Sequence, residues 1–257
     1  MARKGRVQLR RLRDELVRTH PSITDPEGAI ARGAVVVDGR VVTNAASLVR
    51  VGAAITLRPV QPLRGEAKLE AALAAFDVSV AGRIALDVGA AAGGFTRVLL
   101  SAAALRVYAV DAGHGQLLGS LRQDPRVVNL ERVNLAELDV ETVPDAIEVV
   151  TLDLSYLALA DAIPQLETVR LPSGADVLAL VKPQFELGLA APPQDDAVLG
   201  EAVERACEGF VRGGWTIEAV IESPVRGGRG AREFLVHASL DEGRGTLTPS
   251  GAHFEAP

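Results

Sequence analysis

Four charged side chains occupy positions where an alternating strand–helix fold would bring them together. Each adjoins a predicted strand end or the start of the strand–helix region, and the group comprises Lys68, Asp153, Lys182 and Glu233. In open α/β sheets, ligands bind beyond the carboxyl ends of the strands, so charged residues there are candidates for chemistry. Two lysines and two carboxylates in one place could move and orient a proton. We therefore predict that these four residues are candidates for chemistry at this edge of the sheet.

The two lysines are conspicuous because the chain otherwise uses arginine. Of its 27 basic residues 24 are arginines, and the third lysine is Lys4. A lysine can lose its proton when it is desolvated or lies near another cation, whereas a guanidinium effectively cannot. We therefore expect Lys68 and Lys182 to serve in proton exchange, a chemistry that arginine cannot supply. The alternative is a surface lysine after a strand for Lys182 and one on a solvated helix face for Lys68.

A glycine-rich turn predicts a nucleotide-cofactor site. The segment LDVGAAAGGFT is a short apolar strand that opens into a turn and then a helix. Dinucleotide folds need G-x-G-x-x-G so that the backbone can approach a pyrophosphate, and the corresponding residues here are Gly89, Ala91 and Gly94. The Ala91 methyl group would stand where a pyrophosphate oxygen should approach. The pattern therefore favours S-adenosylmethionine, which has no phosphate, over NAD.

Two aspartates near this turn could contact that cofactor. Asp111 ends the next strand, RVYAVDA, where it could accept hydrogen bonds from ribose hydroxyls. Asp87 could orient the loop or the methionine amino group. The alternative is a tight strand-to-helix turn in an ordinary α/β protein, because glycine fingerprints are weak without context.

Strands and helices alternate through most of the chain. The predicted strands are RIALDVG, RVYAVDA, VVNLERVN, IEVVTLDLS, ADVLALVKP, TIEAVIESPV and REFLVHASL. This alternation predicts an α/β fold with a doubly wound, mostly parallel seven-stranded sheet of the Rossmann-like type. The last two strands are separated only by RGGRGA, which is too short for a helical crossover, so we expect them to pair antiparallel.

Charge and proline positions divide the chain into domains. Residues 1–64 carry 12 Lys and Arg against 5 Asp and Glu, whereas the remainder carries 15 against 28. We predict a small basic α+β RNA-binding domain over 1–60, a linker over 61–68, a catalytic domain over 69–240 and a mobile C-terminal tail over 241–257.

The basic domain is predicted to begin with an amphipathic helix in RKGRVQLRRLRDELVRTH, where Leu9, Leu12 and Leu16 recur at helical spacing. An Asp38-Gly39 turn between β-branched runs predicts a hairpin, and a third strand is expected near AITLRP. The predicted RNA contacts are Arg3, Lys4, Arg6, Arg10, Arg11 and Arg64. A solvated basic helix with no partner is the alternative.

Several function classes find no support in the composition. The single Cys207 has no cysteine partner for a disulfide or a metal site, so we expect no bound metal. No uncharged run exceeds ten residues, and the basic start of the chain lacks the apolar segment of a signal peptide. We therefore expect a cytoplasmic protein without a membrane partner.

A series of motifs resembles the TlyA family of rRNA ribose methyltransferases over almost the whole chain. In order, they are LDVGAAAGGFT, YAVDAGHGQL, DPRVVNLERVN, LDLSY, VKPQFELG and REFL. The resemblance implies a small RNA-binding domain joined to an FtsJ-type class I methyltransferase domain. It also implies methyl transfer from S-adenosylmethionine to the 2′-hydroxyl of a cytidine in ribosomal RNA, either naked or within ribosomal subunits.

The resemblance assigns roles to individual residues. The family's Lys-Asp-Lys-Glu tetrad falls on Lys68, Asp153, Lys182 and Glu233. The cofactor-binding residues expected from the motifs are Asp87, Gly89, Gly93, Gly94, Phe95, Thr96, Asp111, Asn134 and Asp153. In this tetrad Lys182 would take the proton from the substrate hydroxyl, and Lys68 would favour the deprotonated form of Lys182. Asp153 and Glu233 would orient Lys182 through charge-assisted hydrogen bonds, which opposes its deprotonation, so the protonation state of Lys182 stays open.

Departures from the family pattern concern the RNA side. Leu63 replaces the usual serine before Arg64, and Glu66 is expected to place a negative charge where RNA approaches. The loop after KPQFE is shortened to the acidic LGLAAPPQDD, and His114 stands where an aromatic residue is common.

Two alternatives from other functional classes remain open. One is a non-catalytic RNA-binding factor of ribosome assembly that keeps the methyltransferase fold; the presence of all four tetrad residues favours an enzyme. The other is a membrane-active haemolysin, a name attached to this family, and the lack of a long apolar segment disfavours it.

Overall fold

The structure is a computed structural model that describes residues 8–59 and 62–240. We call residues 8–59 the head and residues 62–240 the body. The head elements are β1 (Leu9–Arg11), α1 (Leu12–Thr19), α2 (Pro26–Ala31), β2 (Val35–Val37), β3 (Arg40–Val41), β4 (Leu48–Arg50) and β5 (Ile55–Leu57). The predicted tail lies outside the described residues.

The start of the head differs from the predicted helix. Residues Leu9–Arg11 form β1, which pairs antiparallel with β4, and the helix begins only at Leu12. Leu9 is 54% exposed, whereas Leu12 and Leu16 are fully buried. Leucines three residues apart suit a helix, but pairing with the unpredicted β4 satisfies the backbone groups of residues 9–11 in a strand. Tertiary pairing thus overrides the local periodicity.

The predicted hairpin is present in the head. Val36 pairs with Val41 across a turn in which Asp38 and Gly39 have φ angles of 47° and 83°. Two positive φ angles define the turn that matches the twist of adjacent strands. The third predicted strand, β5, pairs with the other side of β2. These strands and both helices enclose a small apolar core that includes Ile30 and Val35.

The body contains the α/β fold. Its elements are α3 (Arg64–Phe76), β6 (Ile84–Val88), α4 (Gly94–Ser101), β7 (Arg106–Asp111), α5 (Gly119–Arg122), β8 (Val127–Glu131), β9 (Val149–Leu152), α6 (Leu159–Ala162), β10 (Asp176–Val181), α7 (Pro183–Glu186), α8 (Asp196–Arg212), β11 (Trp215–Glu222) and β12 (Phe234–Leu240). Short 3₁₀ turns cover 135–137, 163–168 and 228–230.

The seven strands of the body form one sheet in the order β11-β12-β10-β9-β6-β7-β8. β11 and β12 pair antiparallel, as predicted, and β12 is also antiparallel to β10, whereas the other pairs are parallel. The chain first extends from β6 to β7 and β8, and then continues on the opposite side of β6 with β9. The crevice at the carboxyl ends of β6 and β9 is therefore the switch point, where doubly wound folds bind ligands.

Helix α3 begins inside the segment predicted as a linker, since residues 64–68 form its first turns. Glu66 also differs from expectation, because it is 4% exposed and does not face an incoming RNA. Its carboxylate accepts from the Leu63 backbone N–H at 2.8 Å and pairs with Arg97 Nη1 at 2.5 Å. The residue caps α3 and joins it to α4.

A buried polar cluster joins the head to the body. Thr43 Oγ1 donates to Asp124 Oδ2 at 3.0 Å, and both residues are buried. Arg126 holds the same carboxylate at 2.9 Å and reaches the Thr43 carbonyl oxygen at 3.4 Å. Among the helices of residues 8–59 and 62–240, none combines the length and the apolar character that a membrane span requires.

The buried Glu66–Arg97 pair predicts a large stability effect. Glu66→Ala leaves the Arg97 guanidinium buried without its partner, so the free energy of unfolding should fall by about 3–5 kcal/mol. Glu70→Ala, an exposed position on the same helix, should change it by less than about 0.5 kcal/mol. Denaturant unfolding measures both values. Equal stabilities of the two variants would contradict a structural role for the pair.

Candidate active site

The sheet register brings the predicted catalytic residues to one edge. β10 and β12 are antiparallel with Val181 opposite Phe234, so Lys182 and Glu233 follow directly at the same end of the ladder. β9 lies on the other side of β10 and ends one residue before Asp153. Lys68 reaches this edge from α3. The tetrad predicted from the sequence is therefore assembled by four separate elements.

Each lysine forms an ion pair with one carboxylate. Lys182 Nζ lies 2.5 Å from Asp153 Oδ1, and Lys68 Nζ donates to Glu233 Oε2 at 2.5 Å. Side-chain exposure is 14% for Lys182 but only 8% for Lys68. Glu233 thus compensates the positive charge of Lys68. This pairing weakens the electrostatic repulsion that Lys68 was expected to exert on Lys182. The four charges together are balanced.

Ser155 is a site residue that the sequence analysis did not assign. Lys182 Nζ donates to Ser155 Oγ at 2.7 Å, in addition to its ion pair with Asp153. The signal in the sequence was the position of Ser155, two residues after Asp153 in the strand-end motif LDLSY. Lys182 itself has an extended backbone and precedes Pro183, which starts α7. The backbone of Lys182 and its contacts with Asp153 and Ser155 therefore fix the position of its ammonium group.

A cleft of about 350 Å³ opens beside Lys182. The residues that line it include Ser155, Lys182, Phe185, Arg229 and Glu233. Lys68 does not line the cleft and instead lies behind Glu233. A substrate in the cleft would meet one lysine and one carboxylate directly, and the other two charges would act through them.

The glycine turn follows β6 and lies against β9. Gly89 has φ +84°, and a Cβ atom added there would lie 2.5 Å from the Asp153 carbonyl oxygen. Only glycine fits this approach without moving the backbone. Gly93, with φ +95°, precedes α4, and its Cβ would lie 2.1 Å from Leu121 Cδ1. Both predicted glycines are thus required by the path of the backbone.

Asp111 anchors the turn from the end of β7. Its two carboxylate oxygens accept from the backbone N–H groups of Ala91 at 2.8 Å and Gly113 at 2.7 Å. Ala91 has φ +45°, so its amide is turned toward Asp111. Each carboxylate oxygen keeps a second lone pair, and the side chain is only partly buried. Asp111 can therefore accept further hydrogen bonds from a ligand.

Glu131 supports the neighbouring loop and was not assigned by the sequence analysis. Backbone N–H groups of Gly115 and Leu117 lower the pKa of the Glu131 carboxyl to about 2. Glu131 ends β8, and Oε1 also accepts from the Gln116 N–H at 2.9 Å. Asn134, three residues further on, is exposed and directly precedes the 135–137 turn. It donates to Glu137, the last residue of that turn. Asn134 therefore lies at the rim of this loop region.

Three other predicted cofactor residues lie beneath the turn. Asp87 and Thr96 are fully buried, and Phe95 is 4% exposed. Asp87 accepts from Thr96 Oγ1 at 2.6 Å and from Thr151 Oγ1 at 2.9 Å. Their side chains support the turn from the interior and do not line its open face. The same holds for Gly94, where an added Cβ would lie 3.0 Å from the Cα atom of Gly65 in α3.

The predicted RNA contacts are dispersed in the part of the chain that is described. Arg10 pairs with the buried Glu15 at 3.1 Å, which commits it to the head structure. Arg11 is exposed on β1, and Arg64 is exposed at the start of α3. Arg3, Lys4 and Arg6 lie outside the described residues.

The residues at the open face fit S-adenosylmethionine better than a dinucleotide. The Ala91 N–H is already used by Asp111, so the turn does not offer it to a pyrophosphate. Asp111 would hold the cofactor's ribose, and the backbone of 89–93 would lie along it.

The sheet topology, the switch-point turn and this donor set define the class of the protein: it is an S-adenosylmethionine-dependent methyltransferase. The profile of the FtsJ-like methyltransferase family matches residues 63–240. The chain belongs to that family, which confirms the resemblance found in the sequence.

Individual relatives extend the similarity beyond the body. The 16S/23S rRNA (cytidine-2'-O)-methyltransferase TlyA of Mycobacterium tuberculosis is 38% identical in an alignment of 248 positions that covers 92% of this chain and 90% of that protein. Hemolysin A of Brachyspira hyodysenteriae is 34% identical over 68% of this chain and 75% of its own length. A solved structure of a Streptococcus thermophilus protein described as a hemolysin has 30% identity and a TM-score of 0.67, and it covers 92% of this chain and 90% of that one.

The buried Asp87 predicts a specific pH dependence of stability. Burial raises the pKa of Asp87 from 3.8 to about 6, so the folded state binds its proton more tightly than the unfolded state. The stability that this proton contributes is present below pH 3.8 and is lost as the pH rises to about 6. Asp87→Asn cannot ionise, so its free energy of unfolding relative to wild type should rise between pH 4 and pH 7. A difference that stays constant over this range would contradict the assignment.

The hydrogen-bonding position of Asp111 leads to a prediction for the affinity of S-adenosylmethionine. Asp111→Ala removes the acceptor for ribose hydroxyls and the anchor of the Ala91 amide. Hydrogen bonds to charged groups contribute about 1.5–3 kcal/mol, so the Kd for S-adenosylmethionine in calorimetry should rise by about tenfold or more. Glu141→Ala, an exposed site away from the turn, should leave it unchanged. Binding of NAD by wild type with equal affinity would refute the cofactor assignment.

Proposed function

We propose that this protein transfers a methyl group from S-adenosylmethionine to a ribose 2′-hydroxyl of ribosomal RNA, with cytidine as the expected nucleotide. The observation that carries the proposal is the pair of lysine–carboxylate contacts beside a cleft, next to the glycine turn. The Mycobacterium tuberculosis relative, at 38% identity over nearly the whole chain, is named for this reaction and supports the choice of substrate.

The reaction needs a hydroxyl oxygen to attack a methyl carbon in line. S-adenosylmethionine supplies an electrophilic methyl group when bound. A ribose hydroxyl is a weak nucleophile near neutral pH, so its proton must leave as the new bond forms. The site must therefore hold the hydroxyl in line and provide a route for that proton.

Lys182 is the candidate for handling the proton. Its ammonium group donates to Ser155 Oγ and forms an ion pair with Asp153 Oδ1. It can accept the hydroxyl proton only after passing on one of its own, and Asp153 is the adjacent acceptor. We assign Lys182 the contact with the 2′-oxygen and Asp153 the role of orienting Lys182 and receiving that proton.

Glu233 is the second residue that a substrate would touch. It lines the cleft, and Lys68 neutralises it from behind at 2.5 Å. A carboxylate there can accept a hydrogen bond from the substrate hydroxyl and turn its lone pair toward the methyl donor. Lys68 is a positioning residue in this scheme, since it lies behind Glu233.

The head is proposed to bind the RNA. Residues 1–64, which comprise the head and the residues that flank it, carry 12 basic against 5 acidic residues, and phosphate contacts dominate nucleic-acid affinity. The substrate is then naked rRNA or a ribosomal subunit in the cytoplasm. The relative named Hemolysin A is similar to this chain in sequence, but no observation on the described residues favours a membrane-active protein. The complete tetrad favours turnover over a purely structural role in ribosome assembly.

Lys182→Arg tests the proposal. Arginine keeps the positive charge but cannot lose a proton in the working pH range, and its planar fork needs different space. Single-turnover methyl transfer to rRNA at saturating cofactor should fall by at least about 10²-fold, while calorimetry should show unchanged cofactor binding. The substrate is total rRNA from cells that lack the protein, and mapping of ribose methylation identifies the nucleotide.

Two results would contradict this scheme. Transfer by Lys182→Arg within a few-fold of wild type would mean that Lys182 acts only through its charge. Absence of any ribose methylation by wild type would favour the assembly-factor alternative.

A further inference from the structure

The loop between β11 and β12 forms one wall of the cleft and carries an unusual arginine. Gly228 and Arg229 line the cleft, and Arg229 is exposed. Arg229 has φ +56° and ψ +26°, a left-handed conformation that side chains other than glycine, asparagine and aspartate seldom adopt. Gly230, the next residue, also has a positive φ, of +75°. The backbone thus presents an arginine at a point where glycine would be less strained.

The other cations at the cleft are already paired. Lys182 is bound to Asp153, and Arg232 contacts both Glu222, at 2.8 Å, and Asp196. By contrast, the Arg229 guanidinium has neither an ion-pair nor a hydrogen-bond partner within residues 8–59 and 62–240. Its charge is therefore the uncompensated positive charge that the cleft offers to a ligand.

The proposed substrate requires such a charge. In RNA, the carbon that bears the 2′-hydroxyl is bonded to the carbon that carries the 3′-phosphodiester. A hydroxyl placed at Lys182 therefore brings a phosphate anion into or beside the cleft. The chain beyond residue 64 carries 28 acidic against 15 basic residues, so this part of the protein repels phosphate on average. A guanidinium fork matches phosphate geometry with two parallel hydrogen bonds.

We propose that Arg229 binds a phosphodiester adjacent to the target ribose and thereby orients the 2′-hydroxyl toward Lys182. This inference rests on the proposed function, because it assumes that RNA enters the cleft. It adds a specific RNA contact in the body to the general electrostatic attraction of the head. Arg229 is then a substrate-binding residue of the active site.

The left-handed backbone of Arg229 allows its side chain to be removed without adding backbone strain. Arg229→Gly relieves the positive φ, so this variant should unfold no more easily than wild type. Arg229→Lys keeps the charge but not the fork. Arg226→Ala is the matched control, because Arg226 lies in the same loop, is exposed, pairs with Glu222 at 3.3 Å and does not line the cleft. Thermal unfolding and cofactor calorimetry verify that all three variants keep the fold and the cofactor site.

The test measures rRNA binding and single-turnover methyl transfer at several salt concentrations, with total rRNA from cells that lack the protein. Loss of one phosphate contact should reduce the slope of log affinity against log salt by about 0.7–0.9. For Arg229→Gly we expect that decrease and a rise of about tenfold or more in the RNA concentration giving half-maximal transfer. Arg229→Lys should restore the slope but only part of the affinity, and Arg226→Ala should stay within twofold of wild type.

An unchanged salt slope and RNA dependence for Arg229→Gly would overturn the inference. So would an equal loss in Arg226→Ala, because the loop would then act only through its general charge. Binding is measured independently of transfer, so the slope tests Arg229 even if wild type binds rRNA without methylating it. That result would contradict the proposed function alone.

Discussion

At the switch point of the sheet, the backbone of Gly89 lies so close to the carbonyl oxygen of Asp153 that a Cβ atom would come within 2.5 Å of it. This approach fixes the glycine turn directly against Asp153, whose carboxylate pairs with Lys182. Methyl transfer needs the donor carbon and the acceptor oxygen in line. A larger residue at position 89 would separate the two halves of the site, so the spacing of the active site is set by backbone contact.

Charge compensation is the second constraint on the site. Lys68 and Lys182 are each placed against a carboxylate, because an unpaired charge at such burial would be costly. The consequence is a functional division within the tetrad. Lys182 and Glu233 face the cleft, whereas the other two members hold them and balance their charges. The same rule explains why Glu66, which the sequence suggested would meet RNA, is instead buried against Arg97.

The remaining free charge is distributed to suit an anionic polymer. Residues 1–64 supply the excess of positive charge, and Arg229 at the cleft of the acidic body has no partner among the described residues. The buried Thr43–Asp124 hydrogen bond fixes the head on the body. An RNA bound by the head would therefore meet the catalytic edge at a defined position, and the acidic surface elsewhere would disfavour other docking modes.

The sequence by itself determined the order of strands and helices in the body, the antiparallel pairing of its last two strands and the hairpin at Asp38, because apolar periodicity and turn glycines are local signals. Strand ends and rare lysines also indicated the four charged residues that the sheet brings together, whose catalytic roles stay a prediction. Only the tertiary structure decided which side chains face a ligand. Asp87 and Thr96 lie under the turn, and Lys68 and Lys182 each pair with a different carboxylate. Residues 9–11 form a strand where the sequence predicted a helix. Burial, pairing across strands and neutralisation of charge depend on residues far apart in the chain, which a local pattern does not encode.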